Sequence, residues 1–371
     1  MLKTKIAQML MIGFHGTDVK PDDAIVQIIM GQHIGGVILF DYHYPSKTFD
    51  HNIKNPEQVK ALTQQLQEYT KQAASIHHNA LVPLLIGIDY EGGRVNRLHE
   101  RYGFPATLSA AEIAASSTED THRYARTMAK TLKDTGINLN FAPVLDVNTN
   151  PVNPVIGQLG RSYSADIQKV IECAAIFAKA FHEEGILCAG KHFPGHGSSS
   201  GDTHAGFVDI TQTWNQSELE PYIKLLHEPF GPPLVMTSHV VHYGLDTAGL
   251  PASLSTAITQ DLLRGKLNFQ GAVITDDMQM KAITDNYGLA DAVCLAVNAG
   301  ADILVFGNQL SILNDPSEVI DIIHRAVIDG KIAESRINEA YQRVLRLKAQ
   351  IKGKQGHSHS DSHFTSPNVN H

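Results

Sequence analysis

Three observations predict a closed (β/α)8 barrel: eight short apolar runs, amphipathic segments between several of them, and polar residues directly at the run ends. The runs are Met9–Phe14, Gly36–Phe40, Leu84–Asp89, Asn138–Val144, Ile186–His192, Leu234–His239, Ala272–Asp276 and Asp302–Phe306. Each is too short for a buried helix and apolar on successive residues, as expected of a parallel strand covered on both faces. Helical periodicity fills Pro56–Gln72, Ile167–Glu184 and Ala290–Ala299, and a last helix pair over Pro316–Ile351 closes the ring. A doubly wound open sheet is the rival arrangement. Eight strand–helix units in one series favour closure.

Before the first run, MLKTKIAQ reads as a short helix leading into a strand. Gln8 interrupts the apolar stretch and no small-x-small site follows it, which argues against a secretory leader. From Gly353 the chain turns polar and rich in histidine, without period; residues 1–352 are expected to form the barrel domain and 353–371 a disordered tail. A tail of this kind binds metal in some proteins, but a solvated tail is the plainer reading.

The chain has 371 residues, 43% of them hydrophobic and 18% charged, with a net charge of -8. That balance lacks the basic face a nucleic-acid surface needs. No apolar stretch is long enough to span a bilayer. Three cysteines without CxxC spacing fit a reducing compartment, so a cytoplasmic, monomeric protein is expected, with no nucleic-acid or membrane partner.

Charged groups at the ends of apolar strands are costly to bury without purpose, and in a barrel they gather at one rim. The third run ends in Asp89, the fifth in Lys191 and His192, the sixth in Ser238 and His239, and the seventh in Asp276 and Asp277. After the fifth comes KHFPGHGSSSGDTH, Lys191 to His204. Its order does not match a Walker phosphate loop. His192, His196, Asp202 and His204 are possible zinc ligands, yet no HExxH or CxxC accompanies them and Lys191 would repel a cation. A third reading fits better. Glycines and serines form a mobile loop that carries Asp202 and His204 to the rim, where the carboxylate supports the imidazole as an acid/base dyad. Asp276, at a strand end on the same rim, is the candidate nucleophile, with Asp277 as its rival.

These residues carry a resemblance. Together with IAQMLMIGF, IDYEGGRVNRL, NFAPVLDVN, NPVIGQLGRSYS and VITDDMQM, the KHFPGHG loop and its Asp-x-His resemble glycoside hydrolase family 3, in its bacterial β-N-acetylhexosaminidase branch, over about residues 5–350. The resemblance implies Asp276 as nucleophile, His204 as acid/base and Asp202 as its support. It implies sugar binding by Asp89, Arg97, Arg161, Lys191 and His192, with no cofactor and no metal. The implied partner is a small carbohydrate, such as a muropeptide or chitooligosaccharide ending in N-acetylglucosamine. The loop reads Asp-Thr-His where Asp-Ser-His is the common form, and IGQLGRSYS is longer than the IG-x-RS form around Arg161. The chain shows no second domain of the kind longer members carry, so no site residue from one is expected. The implied reaction is retaining removal of a terminal β-linked N-acetylglucosamine, with cell-wall fragment recycling as its setting. A glycoside phosphorylase, a β-glucosidase and a catalytically dead sugar-binding barrel are the alternatives. Asp146, Asn140 and His239 are expected to serve the scaffold, and Tyr90, Met278 and Met280 to pack.

Overall fold

A computed structural model describes residues 1–310 and 312–351. The expected tail, from Gly353, lies outside them. The eight apolar runs are eight strands: β1 Leu10–Gly13, β2 Gly36–Leu39, β3 Leu85–Ile88, β4 Leu139–Asn140, β5 Leu187–Phe193, β6 Leu234–Thr237, β7 Ala272–Asp277 and β8 Ile303–Phe306. They pair in sequence order, all parallel, and β8 returns to β1, so the sheet closes into a barrel.

The run pattern has a direct physical reading. Successive side chains of a strand point to opposite faces. Met11, Ile38, Leu85, Leu187, Ile274 and Val305 meet inside the barrel. Leu10, Ile12, Val37, Ile86, Val273 and Leu304 face outward into the layer packed by helices. Both sets are buried, which is why the runs do not alternate with polar residues.

The helices begin where local chemistry ends them well. Asn55, Ser117, Asp166 and Asp315 each accept a backbone N–H in the first turn of the helices Pro56–Ile76, Thr118–Thr135, Ile167–Glu183 and Pro316–Ile328. Before β7 the outer segment Ala257–Lys266 winds as a π-helix. The last helix, Glu334–Lys348, sends Val344 and Leu347 into the barrel interior, and Lys348 donates to Gln8 and to the Gly35 carbonyl at the N-terminal ends of β1 and β2. That helix stoppers the bottom, leaving the opposite end as the mouth.

The fourth strand is two residues long because side chains take over its ladder. Asn138 accepts from Ile86 N and donates to Leu84 O; Asn140 does the same with both backbone groups of Tyr90. Asn140 is thus a stitch between β3 and β4, in keeping with its expected scaffold role. Tyr90, Met278 and Met280 are buried in packing positions.

Candidate active site

The mouth is built from the C-terminal ends of β3 to β7. After β3 the chain makes a hairpin, Tyr90–Gly92 with Val95–Asn96. Its turn needs Gly92 and Gly93, whose φ angles are +99° and +61°; a Cβ on Gly92 would lie 2.3 Å from the Leu108 carbonyl oxygen. This hairpin turns Glu91 back over the barrel beside Asp89.

Glu91 is the residue the sequence reading passed over, and it is central. Arg161 grips it with two donors, Nε to Oε2 at 2.9 Å and Nη2 to Oε1 at 2.7 Å. Lys191 Nζ lies 2.7 Å from Glu91 Oε1 and 2.9 Å from Asp89 Oδ1. Burial would raise the Glu91 carboxyl, but Arg161 and Lys191 hold it well below the usual carboxylate range. Burial likewise opposes the charge on Lys191, while Asp89 and Glu91 keep its pKa raised. Arg97 stands further out, 3.8 Å from Asp89 Oδ2 and over the Phe40 ring. Asp89 therefore pairs with Lys191 and Arg97.

Lys191 and His192 are adjacent, and both reach site partners. The β5–β6 register slips between Lys191 and Phe193, which breaks the alternation a regular strand would impose. His192 Nδ1 sits 2.6 Å from Asp146 Oδ2, and its Nε2 lies 3.2 Å from Arg161 Nη2. Asp146 thus holds the proton on Nδ1 and leaves Nε2 as an acceptor. The other Asp146 oxygen accepts the backbone N–H groups of His192 and His196.

At the end of β7, Asp276 Oδ1 accepts the N–H of Asp277 at 2.8 Å. Burial pushes the Asp276 carboxyl up, but His239, His192 and His204 outweigh it and bring it to about 2. Asp277 is turned to the wall: Oδ1 accepts from Gln279 N and Gly307 N, and burial raises its pKa to about 6. His239 bonds Ser253 Oγ and the Asp277 carbonyl. That anchors the turn carrying the two aspartates, and burial keeps the ring's pKa below its ordinary value.

The loop after β5, expected to be mobile, is packed over its first part. His196, Ser198 and Ser199 are buried. Asn153 donates to His196 O and Ser199 Oγ, and His196 Nδ1 bonds Ser199 Oγ. Gly197 is there for close approach: a Cβ would fall 1.8 Å from the Val147 carbonyl oxygen. Only the far end reaches solvent. Asp202 is half-buried and His204 is exposed, with Asp202 Oδ1 2.7 Å from His204 Nδ1 and 2.9 Å from its backbone N. Desolvation in the mouth lowers the His204 pKa, yet the Asp202 hydrogen bond and the Asp276 charge prevail and raise it. Thr203, between them, is buried and accepts from Ala282 N beyond β7. With His192 held by Asp146 and His196 by Ser199, the four residues of this loop weighed as zinc ligands do not converge among the described residues.

An ionised carboxylate at the end of β7, an imidazole raised by its own carboxylate on the rim, and a charged wall beside them make a candidate active site at the mouth of a (β/α)8 barrel. The family model for the glycosyl hydrolase family 3 N terminal domain matches residues 1–347. The chain therefore belongs to glycosyl hydrolase family 3. It is 32% identical to the Beta-hexosaminidase A of Pseudoalteromonas piscicida over 88% of this chain and 55% of that protein. It is also 32% identical to the Beta-hexosaminidase of Idiomarina loihiensis, over 81% of this chain and 84% of the relative. The solved family 3 β-N-acetylglucosaminidase of Paenibacillus sp. superposes with a TM-score of 0.83 at 33% identity, covering 98% of this chain and 66% of that one. The chain is similar to β-hexosaminidases and spans little more than half the length of the first of these relatives. No helix among the described residues is long and apolar enough to cross a membrane.

Proposed function

We propose that this barrel is a retaining exo-β-N-acetylglucosaminidase. The observation that carries the reading is the pairing of an ionised Asp276 with a His204 whose pKa is raised by Asp202 and by Asp276 itself. The Asp276 carboxylate attacks the anomeric carbon of a terminal β-linked N-acetylglucosamine. The bond to the leaving oxygen breaks, and that oxygen takes the proton from His204. The neutral imidazole then takes a proton from water, and the resulting hydroxide displaces Asp276 from the sugar. In the usual retaining scheme two carboxyl groups stand about 5 Å apart. Here an imidazole replaces one of them, and its ordinary pKa near neutrality suits it to donate and then accept without deep burial.

Asp89, Arg97 and Lys191 hold sugar hydroxyls. His192, whose Nε2 already faces Arg161 Nη2, borders the same sugar. Arg161 contributes through Glu91 and His192, with Nη1 on the Val155 carbonyl. The relatives' names support the acetamido sugar. The branch resemblance extends this to a physiological substrate, N-acetylglucosamine β-1,4-linked to an anhydro-muramic sugar, with or without peptide. Three cysteines, none in a disulfide, fit the cytoplasm as the place where such fragments are recycled.

The test is hydrolysis of an aryl β-N-acetylglucosaminide beside the aryl β-glucoside, with and without phosphate, and with the first-formed anomer read by NMR. Release of the β-anomer from the acetamido substrate alone, indifferent to phosphate, is expected. A sugar phosphate product makes the enzyme a phosphorylase. Equal release from the glucoside removes the acetamido specificity, and saturable binding without turnover makes it a sugar-binding barrel.

A further inference from the structure

A second cluster of histidines stands on the mouth, made of residues the proposed reaction does not use. His15 follows β1; His43 and His51 flank the loop after β2. One ring nitrogen of each lies within 4.8 Å of one on each of the others. Nδ1 of His15 and Nδ1 of His51 are 3.2 Å apart. Zinc–nitrogen bonds of about 2.0–2.1 Å at tetrahedral angles separate two ligand nitrogens by about 3.3 Å. We infer that His15, His43 and His51 form a binding site for a zinc-type divalent cation that ties the loop after β2 to the end of β1.

Three further observations favour that occupant. His51 is completely buried and its Nε2 has no hydrogen-bond partner, so the ring's polar contact runs through Nδ1, toward His15. His43 Nδ1 is 2.7 Å from Ser46 Oγ, which orients that ring and leaves Nε2 free of protein partners among the described residues. Such outer bonds are what hold metal-ligating imidazoles in place. Finally, the cluster has an open side. His15 is exposed and, with His43, lines a surface cleft that also holds Gly16, Asp18 and Asn308. The cleft supplies an entry path and room for water as the fourth ligand.

The position gives the cation a consequence. The His51 ring packs edge-on against Phe40, and Phe40 lies under the Arg97 guanidinium. Clamping His51 to His15 would brace the wall from which Arg97 reaches the mouth. The cluster shares no residue with Asp276, Asp202 or His204, so its failure leaves the glycosidase reading standing.

The experiment uses the full-length chain with His357, His359, His363 and His371 changed to glutamine, because a histidine-rich tract binds metal on its own. Zinc is titrated against a chromophoric chelator, and cobalt is added separately to read the visible absorption of a tetrahedral nitrogen site. One zinc ion per chain is expected, with a rise in Tm. His15→Ala, on the solvent side, should weaken binding at least about tenfold, as even outer-shell changes do at such sites. His43→Gln provides the same readout should His15→Ala misfold. Absence of stoichiometric zinc binding in the tail-substituted parent overturns the proposal. So does unchanged binding in both variants, which would leave only a His15–His51 hydrogen bond.

Discussion

The two sides of the barrel mouth are built on different terms. Lys191 and Glu91 keep 2% and 5% of their side chains exposed, locked with Arg161 into one buried ion network. His204 leaves 62% of its side chain in solvent and is held by a carboxylate only two residues away. The first side is a rigid wall, since moving any member strands a buried charge. The second is a local unit, because Asp202 and His204 hold each other within the loop end and their contact does not depend on the wall. Fixed groups suit the sugar that must be positioned. A dyad free to move with its loop suits a group that must reach a leaving oxygen and later a water.

Asp276 lies at the junction of the two sides, so its variants test the comparison most severely. Asp276→Ala should lower turnover on the order of 10⁴-fold, as loss of a central catalytic group does. Asp277→Asn, whose side chain faces Gly307, should cost far less; the reverse order would move the nucleophile to Asp277. On the movable side, His204→Ala should cost about 10²–10⁴-fold on an unactivated disaccharide. It should cost little on a dinitrophenyl glycoside, whose leaving group needs no proton. Equal losses on both substrates would refute the acid role.

Stability should split the other way. Glu91→Ala leaves Arg161 and Lys191 buried without their shared partner and should cost about 3–5 kcal/mol, read by denaturant unfolding. Asp202→Ala breaks a pair whose imidazole is exposed, and should cost less than about 1 kcal/mol. Comparable losses would mean that the loop is as rigid as the wall.

The smallest expected effect is a shift along the pH axis. The proposed glycosylation step needs His204 protonated and Asp276 ionised. Asp276, at about 2, stays ionised across the assayable range. With the His204 pKa raised above its ordinary 6.5, kcat/KM should hold at lower pH and fall as pH rises through that raised value. Asp202→Asn removes a raising partner, so the basic limb should slide to lower pH. A limb that stays in place would assign it to another group.

Legibility followed the same division. Each element that depends on neighbours in sequence could be read in advance. The eight runs became eight strands within a few residues, and Asp202 with His204 form a contact two residues long. Glu91 was missed although it sits inside IDYEGGRV, because its partners Arg161 and Lys191 are 70 and 100 residues away. Nothing in a linear motif states that a hairpin will turn its side chain onto both. In sequence the loop glycines suggest flexibility, whereas in the fold Gly197 makes room for the Val147 carbonyl. His15, His43 and His51 show no metal-ligand spacing, and only the adjacency of β1 and β2 brings them together.

By itself the sequence determined the barrel, the family and the candidate catalytic set. Apolar periodicity and short polar motifs are local, and burying a two-faced apolar strand has few solutions. Tertiary structure alone decided which charges share the buried wall, which half of the loop is pinned and which histidines meet. Those outcomes depend on desolvation and pairing between groups far apart in the chain, and both are settled only when the barrel closes.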